Sequence, residues 1–197
     1  MSIHSLKQIK KTPSILSEKE INELMELPDK NTFKGSRDSA ILELMYSSGM
    51  RVTELINVKL NDVNINAGII KIEGSNERIV PLSNITKDSI TNYINNFRKN
   101  KCRDINNYLF INNYGDQISR QGIWKVLKYY EKKINLSSEL SPQILRNSFA
   151  VHLLKHGADI GTVQELMGHT TITATQSYLQ NVDFKSLEVF KKTFPRT

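Results

Sequence analysis

Cysteine is nearly absent from the sequence: Cys102 is the single one among 197 residues. One cysteine excludes an intrachain disulfide, and such usage is typical of a reducing compartment. No apolar run approaches the roughly 20 residues that a membrane-spanning helix needs. The opening MSIHSLKQIKKT lacks the apolar stretch of a secretory signal peptide. From these absences we expect a cytoplasmic protein with no membrane partner.

Nucleotide and metal motifs are also missing. No glycine-rich phosphate-binding loop is present, so nucleotide hydrolysis has no support. His152 and His156 have the i,i+4 spacing of a metal-binding pair, but no HExxH motif, cysteine pair or third ligand accompanies them. We therefore expect a solvated or packed histidine pair, no metal and no cofactor.

What the sequence does have is positive charge. Lys and Arg number 27 against 20 Asp and Glu, which gives a formal net charge of +7. This balance favours polyanionic partners, nucleic acid above all, although many cytosolic enzymes are also rich in lysine. With 39% hydrophobic residues the chain can bury a sizeable core, and its length suits one domain with a short appendage.

The first half of the chain alternates helical signals with one strand-rich segment. Residues 1–16 are polar and basic, and we expect a flexible lead-in. Ser17 opens a capping box that predicts a helix, and a second helix should begin after Ser36 and end in a left-handed turn at Gly49. A short helix follows. The stretch AGIIKIEGSNERIVPL has two β-branched runs around Gly74-Ser75-Asn76, which predicts a β-hairpin.

The second half is mostly helical. DSITNYINNFRK predicts a helix, and YLFINNYGDQIS predicts one more short strand. A helix should follow Ser119, and Ser141-Pro142 should cap the next. Asp159 should cap a helix that ends near Gly168, and a last helix is expected at about residues 183–193. The predicted fold class is mainly α with a small antiparallel β-sheet (α+β).

A basic face and two arginines stand out, each with two open interpretations. Lys125, Lys128 and Lys132 share one side of the helix after Ser119. They form either a solvated face or a set of DNA contacts, and the spacing does not decide. Arg51 follows the helix-ending glycine turn and Arg146 lies in the first turns of its helix. Taken singly, each is better explained as a surface ion pair or a solvated side chain.

His169 and Tyr178 are nine residues apart, which on an unbroken helix places them on opposite faces. Gly168 can end one helix, and Thr170 or Thr171 can cap the next. A break there would allow both side chains to reach one cleft.

These residues fall in a known order. The stretches SSGMRVTEL, SPQILRNSFAVHLLKHGADIGTVQELMGH and TATQSYL resemble the signature boxes of the tyrosine recombinases, or phage integrase family. The resemblance covers residues 17–181 and implies the catalytic-domain fold of that family. It assigns Arg51, Arg146 and His169 to the active site and Tyr178 as the nucleophile.

The sequence departs from the family pattern in two places. Gln143 stands where the HxxR motif has its histidine, and the hairpin lacks the lysine of the family's glycine-lysine-glycine turn, which looks about two residues shorter here. Lys71, on the preceding strand, is the nearest candidate to replace that lysine. The side chains that we expect to contact DNA are Arg78, Arg120, Lys125 and Lys128.

The resemblance implies a site-specific DNA recombinase that cuts and rejoins strands through a 3′-phosphotyrosyl intermediate, for integration, excision or inversion. Its partners would be double-stranded DNA and further copies of the chain, as a dimer or tetramer on DNA. The alternative is a catalytically weakened DNA-binding accessory or regulatory protein of the same fold. An unrelated helical binding module is a third hypothesis.

The family usually carries a further N-terminal DNA-binding domain, for which this sequence has no room. It resembles either the small catalytic-domain-only recombinases, such as fimbrial-type DNA invertases, or a fragment. Residues 182–197 are amphipathic, and we expect a C-terminal helix able to dock onto a neighbouring subunit in trans.

Overall fold

The computed structural model describes residues 13–74, 76–101 and 107–182. Within these ranges the protein is mainly helical, with one small antiparallel sheet. The α-helices are α1 Glu18–Glu26, α2 Phe33–Ser48, α3 Val52–Asn57, α4 Asn84–Asn92, α5 Arg120–Glu131, α6 Pro142–Lys155, α7 Ile160–Met167 and α8 Ile172–Gln176, and the strands are β1 Val63–Asn64, β2 Ile69–Ile72 and β3 Arg78–Pro81. Leu60–Asp62 and Ser177–Asn181 are 3₁₀ segments, and Tyr93–Arg98 is a π-helical continuation of α4.

The central element is α2, which packs against α4 and α6. It starts earlier than predicted because the side chain of Thr32 accepts a hydrogen bond from Gly35 N at 3.0 Å and caps the helix. Gly49 ends it in the left-handed conformation, with φ of 57°, as predicted. Because α2 is covered on all sides, even polar residues such as Asp38 and Ser48 are buried.

Polar caps set the helix starts, as the sequence predicts. Ser17 forms its capping box with Glu20, and the side chains of Ser141 and Asp159 each accept a bond from a backbone N–H of the helix that follows. Pro142 occupies the first turn of α6, where a missing N–H has no cost. These local bonds fix where α6 and α7 begin.

The sheet has strand order β1-β2-β3, and the predicted hairpin is β2 and β3. Ile70 pairs with Val80, and both are buried against the helices. Lys71 pairs with Ile79, and these two side chains are exposed because successive strand residues point to opposite faces.

The short strand predicted in YLFINNYGDQIS is wrong. Residues there form only isolated bridges, Lys59 with Tyr108 and Ile111 with Gln117. Phe110 and Ile111 are fully buried in the helical core, so the apolar run fills space between helices and does not join the sheet.

The predicted flexible lead-in lies mostly outside the described residues. Its last four residues, 13–16, are described, and they are held against α6. Leu16 is fully buried, and its backbone N–H donates to Ser148 Oγ at 2.9 Å. The predicted helix at residues 183–193 lies outside the described residues.

The buried side chains form two clusters. The larger lies between α1, α2, the sheet and α5. The smaller is built from α6, α7 and the segment Ser177–Asn181, and its members include Phe149, Val163, Met167 and Tyr178. None of the helices in the described part of the chain has the length and apolar character that a membrane crossing needs.

Substitution of Gly49 tests how tightly the turn after α2 packs against α6 and α7. A Cβ there would lie 2.4 Å from Phe149 Cδ1, whereas one at Gly157, also at positive φ, has nothing within 4 Å. We expect Gly157→Ala to lower the free energy of unfolding by about 1 kcal/mol, from backbone strain alone, and Gly49→Ala by about 3 kcal/mol, because overpacking adds to the strain. Urea denaturation measures both, and equal losses would contradict the packing argument.

Candidate active site

Arg51 stands at the N-terminus of α3, directly after the turn at Gly49–Met50. Its Nη1 donates to Glu54 Oε1 at 3.0 Å and its Nη2 donates to the backbone O of Gly168 at 3.1 Å. The side chain remains 38% exposed, so it is anchored at its base and faces solvent. It lines two neighbouring clefts of about 330 and 320 Å³.

Glu54 connects Arg51 to Arg78 of β3. Both terminal nitrogens of Arg78 donate to the Glu54 carboxylate at 3.0 Å, and Arg78 Nε donates to Leu166 O at 2.7 Å. Burial acts to raise the pKa of Glu54, but the hydrogen bonds from both arginines outweigh it and hold that pKa below its usual value. Arg78 was expected to contact DNA, yet its side chain is buried and its donors are directed into the protein. It ties the hairpin to α3 and α7.

Arg146 lies on α6 and is almost fully buried. Its Nη1 donates to Gly49 O, and its Nη2 donates to Met167 O at 2.5 Å. Burial and the nearby charge of Arg51 lower its pKa to about 10, so it stays charged at neutral pH. One guanidinium therefore binds the C-terminal ends of two helices, α2 and α7.

His169 follows Gly168, whose φ of 60° breaks the chain between α7 and α8. The break places the His169 ring against the ring of Tyr178, with centroids 6.2 Å apart and planes inclined by 14°. His169 Nδ1 lies 2.9 Å from Thr175 Oγ1. Burial, with the charges of Arg146 and Arg51, lowers the pKa of His169 to about 4, so the ring is neutral at physiological pH.

Tyr178 is only 4% exposed, and its hydroxyl donates to Asn147 Oδ1 at 3.2 Å. Burial raises the pKa of the phenol, while the charges of Arg146 and Arg51 act to lower it. The phenol is therefore protonated in the free protein, and two cations lie close enough to influence it.

Gln143 and Asn147 are one turn apart on α6. Gln143 Nε2 donates to Asn147 Oδ1 at 2.7 Å, so both Gln143 and Tyr178 bind the same amide oxygen. Gln143 lines the 330 Å³ cleft together with Arg51 and Arg146. Asn147 is not among the predicted site residues, although it directly follows Arg146 and lies four residues after Gln143.

Lys71 lies on the outer face of the hairpin. Its Nζ pairs with Glu77 at 3.1 Å and more loosely with Glu73 at 3.9 Å. The hydrogen bond to Glu77 raises the pKa of Lys71. It lines a cleft of about 240 Å³ with Lys59 and Glu54, which places it beside the residue that anchors Arg51.

The remaining predicted DNA contacts lie on α5. Arg120 and Lys125 are exposed, and Arg120 also lines the 330 Å³ cleft beside the half-exposed Trp124. Lys128 is bound to Glu131 at 2.7 Å and to Glu139, and these bonds raise its pKa. The predicted basic face is therefore partly neutralised at one position.

The two histidines weighed as a metal pair have separate partners. His152 Nδ1 lies 2.9 Å from Tyr46 Oη, and His156 Nε2 lies 2.9 Å from Glu18 Oε1. Over residues 13–74, 76–101 and 107–182, no three His, Cys, Asp or Glu side chains are grouped to hold a metal ion.

Known proteins match this chain over almost its whole length. The sequence matches the Phage integrase family over residues 14–184. It is 41% identical to tyrosine recombinase XerD of Staphylococcus haemolyticus and 40% identical to XerD of Staphylococcus aureus, in each case over 98% of this chain and 67% of the relative. The chain thus spans about two thirds of the length of these curated relatives.

Solved structures of recombinases and integrases superpose on this fold. The crystal structure of XerA recombinase superposes with a TM-score of 0.80 at 27% identity, covering 98% of this chain and 67% of that one. XerH recombinase bound to its difH substrate superposes with a TM-score of 0.77 at 23% identity, covering 96% of this chain and 56% of that one. The catalytic domain of bacteriophage HP1 integrase has a TM-score of 0.60 at 20% identity, covering 93% of this chain and 96% of that one. The likenesses to XerH and to HP1 integrase support the fold alone.

The family match and the XerD relatives confirm what the sequence motifs predict. The chain belongs to the phage integrase family and is a tyrosine-type, site-specific DNA recombinase.

Proposed function

We propose that Tyr178 is the nucleophile of this recombinase and that Arg51, Arg146, His169 and Gln143 form its phosphate-binding site. The observation that carries the proposal is the convergence on one phenol of two guanidiniums and a neutral imidazole. Burial makes the phenol a weak nucleophile, so it needs the arginine charges to favour its ionised form during attack.

In the proposed cleavage step the Tyr178 oxygen attacks a DNA phosphorus and releases its proton to solvent. A bond forms between phosphorus and Tyr178, the bond to the 5′ oxygen breaks, and that oxygen takes up a proton. The 3′ phosphate is left attached to Tyr178, and the reverse reaction with another strand's 5′ hydroxyl rejoins the DNA.

Arg51 and Arg146 suit the developing charge. In each guanidinium, both terminal nitrogens donate one N–H to a protein oxygen, and the remaining N–H groups can donate to a phosphate. Fixed donors of this kind stabilise the charge that grows on the non-bridging oxygens in the transition state. The backbone and carboxylate contacts hold both groups in place before DNA binds.

His169 and Gln143 complete the site with uncharged groups. Because Nδ1 of His169 faces Thr175, its Nε2 is left to bond to the phosphate. Gln143 can donate a hydrogen bond but cannot carry a proton, unlike the histidine of the family motif.

Lys71 is our candidate for the proton donor to the leaving oxygen. Its ion pairs with Glu77 and Glu73 hold the proton on the lysine, so they must open when DNA arrives. The phosphates of bound DNA compete with both carboxylates for the ammonium group.

We further propose that the protein acts in the cytoplasm, where its substrate lies, and that it assembles as a dimer or tetramer on DNA. Integration and excision of a mobile element, or inversion of a DNA segment as in fimbrial-type invertases, are the expected outcomes. Docking of residues 182–197 in trans belongs to the same proposal. The accessory-protein alternative is not favoured by the relatives, which are recombinases.

Tyr178→Phe tests the nucleophile directly. On a nicked duplex that carries the target site, we expect the wild-type protein to form a covalent protein–DNA band in denaturing gels and Tyr178→Phe to form none. The substitution removes only the attacking oxygen and keeps the ring in its cluster. A band that persists in the variant would remove Tyr178 from the mechanism.

Lys71→Ala tests the proton donor, with Lys59→Ala as the matched control, since both lysines pair with Glu73 and line one cleft. We expect Lys71→Ala to slow single-turnover cleavage by about 100-fold or more, the contribution of a positioned general acid. Lys59→Ala should change the rate little. Equal rates for Lys71→Ala and wild type would end the assignment.

The two lysines of α5 test the DNA surface. We expect Lys125→Ala to reduce the slope of log affinity against log salt by about 1, because a free lysine neutralises one phosphate. Lys128→Ala should reduce it less, since Glu131 and Glu139 already occupy that charge. Fluorescence anisotropy with a labelled duplex measures both slopes, and the opposite order would contradict the surface assignment.

A further inference from the structure

Residues 13–16, which we call the strap, run along α6 next to the segment that carries Tyr178. The strap is not part of any helix or strand, yet its backbone is held at three points. Its hydrogen bonds are Asn181 Nδ2 to Pro13 O at 3.0 Å, Asn147 Nδ2 to Ser14 O at 3.1 Å and Leu16 N to Ser148 Oγ at 2.9 Å. Two of these partners, Asn147 and Asn181, either bind Tyr178 or lie three residues from it.

The strap determines which way the Asn147 amide points. The backbone oxygen of Ser14 can only accept a hydrogen bond, so it requires the NH₂ group of Asn147. The amide oxygen therefore faces the other way, toward Gln143 and Tyr178. An oxygen in that position can only accept, and so the Tyr178 hydroxyl must donate its proton to it.

This arrangement favours the unreactive form of the phenol. A protonated Tyr178 donates to the Asn147 oxygen, whereas a phenolate would face that oxygen with no proton between them. The charged groups that face the ring, Arg146 from α6 and Arg51 from the start of α3, act in the opposite direction, and the stacked His169 is neutral. The amide and the arginines thus have opposed effects on the same oxygen.

We propose that Asn147 is a positioning residue that keeps Tyr178 a protonated phenol in the free protein, and that the strap holds Asn147 in this orientation. When Ser14 O releases the amide, Asn147 can rotate and present its NH₂ to the Tyr178 oxygen, which stabilises the phenolate. The Gln143 amide, whose Nε2 donates to Asn147 Oδ1, must rotate with it so that its own oxygen accepts. Movement of the strap thereby controls the nucleophile. The inference rests on the proposed role of Tyr178 in the reaction.

The first test needs no DNA and no activity. A fluorinated tyrosine placed only at position 178 of the whole chain is titrated by ¹⁹F NMR, since fluorine makes the phenol more acidic and brings its titration into a milder pH range. We expect Asn147→Ala to lower the pKa of this phenol by about half to one unit, the effect of one hydrogen bond to the protonated form. Asn147→Asp should raise it, because a carboxylate accepts the same proton more strongly.

Two further variants complete the titration. Asn181→Ala frees the strap at Pro13 without touching the Tyr178 hydroxyl, and we expect a smaller decrease in the same direction. Asn96→Ala, an exposed asparagine bonded to Asn92 on the α4 side, is the matched control and should leave the pKa unchanged. Should Asn147→Ala fail to fold, two other variants still test the proposal. We expect the near-isosteric Asn147→Asp to raise the pKa of Tyr178 and Asn181→Ala to lower it. The same pKa in wild type, Asn147→Asp and Asn181→Ala would overturn the proposal.

The second test is the pH profile of covalent complex formation on the nicked duplex. Below the pKa of Tyr178 we expect Asn147→Ala to react about threefold to tenfold faster than wild type, with its profile moved to lower pH. A purely structural role would lower the rate at every pH, and that outcome would also refute the inference. Absence of a covalent complex in the wild type would refute the proposed function, while the NMR titration would still decide whether Asn147 and the strap set the state of Tyr178.

Discussion

The proposed active site depends on the contacts of one buried cation, the guanidinium of Arg146. It donates to the last carbonyl of the turn at Gly49 and to the last carbonyl of α7 at Met167. Both oxygens lie at helix C-termini, where carbonyls lack intrahelical partners and carry partial negative charge. The burial of Arg146 is therefore compensated, and its position fixes the relative placement of α2, α6 and α7.

A second set of arginine contacts lies beside those of Arg146. The Glu54 carboxylate accepts hydrogen bonds from both Arg51 and Arg78, and Arg78 also donates to the backbone oxygen of Leu166 in α7. The hairpin, α3 and α7 are thereby joined through one carboxylate, which explains why an arginine on a strand lies so far from solvent. A Cβ at Gly168 would lie 2.7 Å from Arg78 Nη1, so this approach requires glycine at the helix break.

The parts of the site that depend on local backbone chemistry could be predicted from sequence. The helix ends and starts are predicted from Gly49 and Gly168 and from the caps Ser141 and Asp159. The break at Gly168 brings His169 beside Tyr178. What could not be predicted depends on distant contacts, such as Asn147 with Ser14, 133 residues apart. The strand predicted in YLFINNYGDQIS but not formed shows the same limit. Phe110 is buried by helices that are distant in the sequence, and the local apolar pattern carries no information about them.

The membership of Tyr178 in the smaller buried cluster has a consequence for evolution. The proposed nucleophile is also one of the side chains that hold α6 and α7 together. Burial of an aromatic ring contributes on the order of 2 kcal/mol, so any movement of Tyr178 out of the cluster toward DNA would weaken this half of the domain. Selection for a tighter cluster would therefore oppose selection for a faster enzyme, and sequences in this region should remain a compromise between the two.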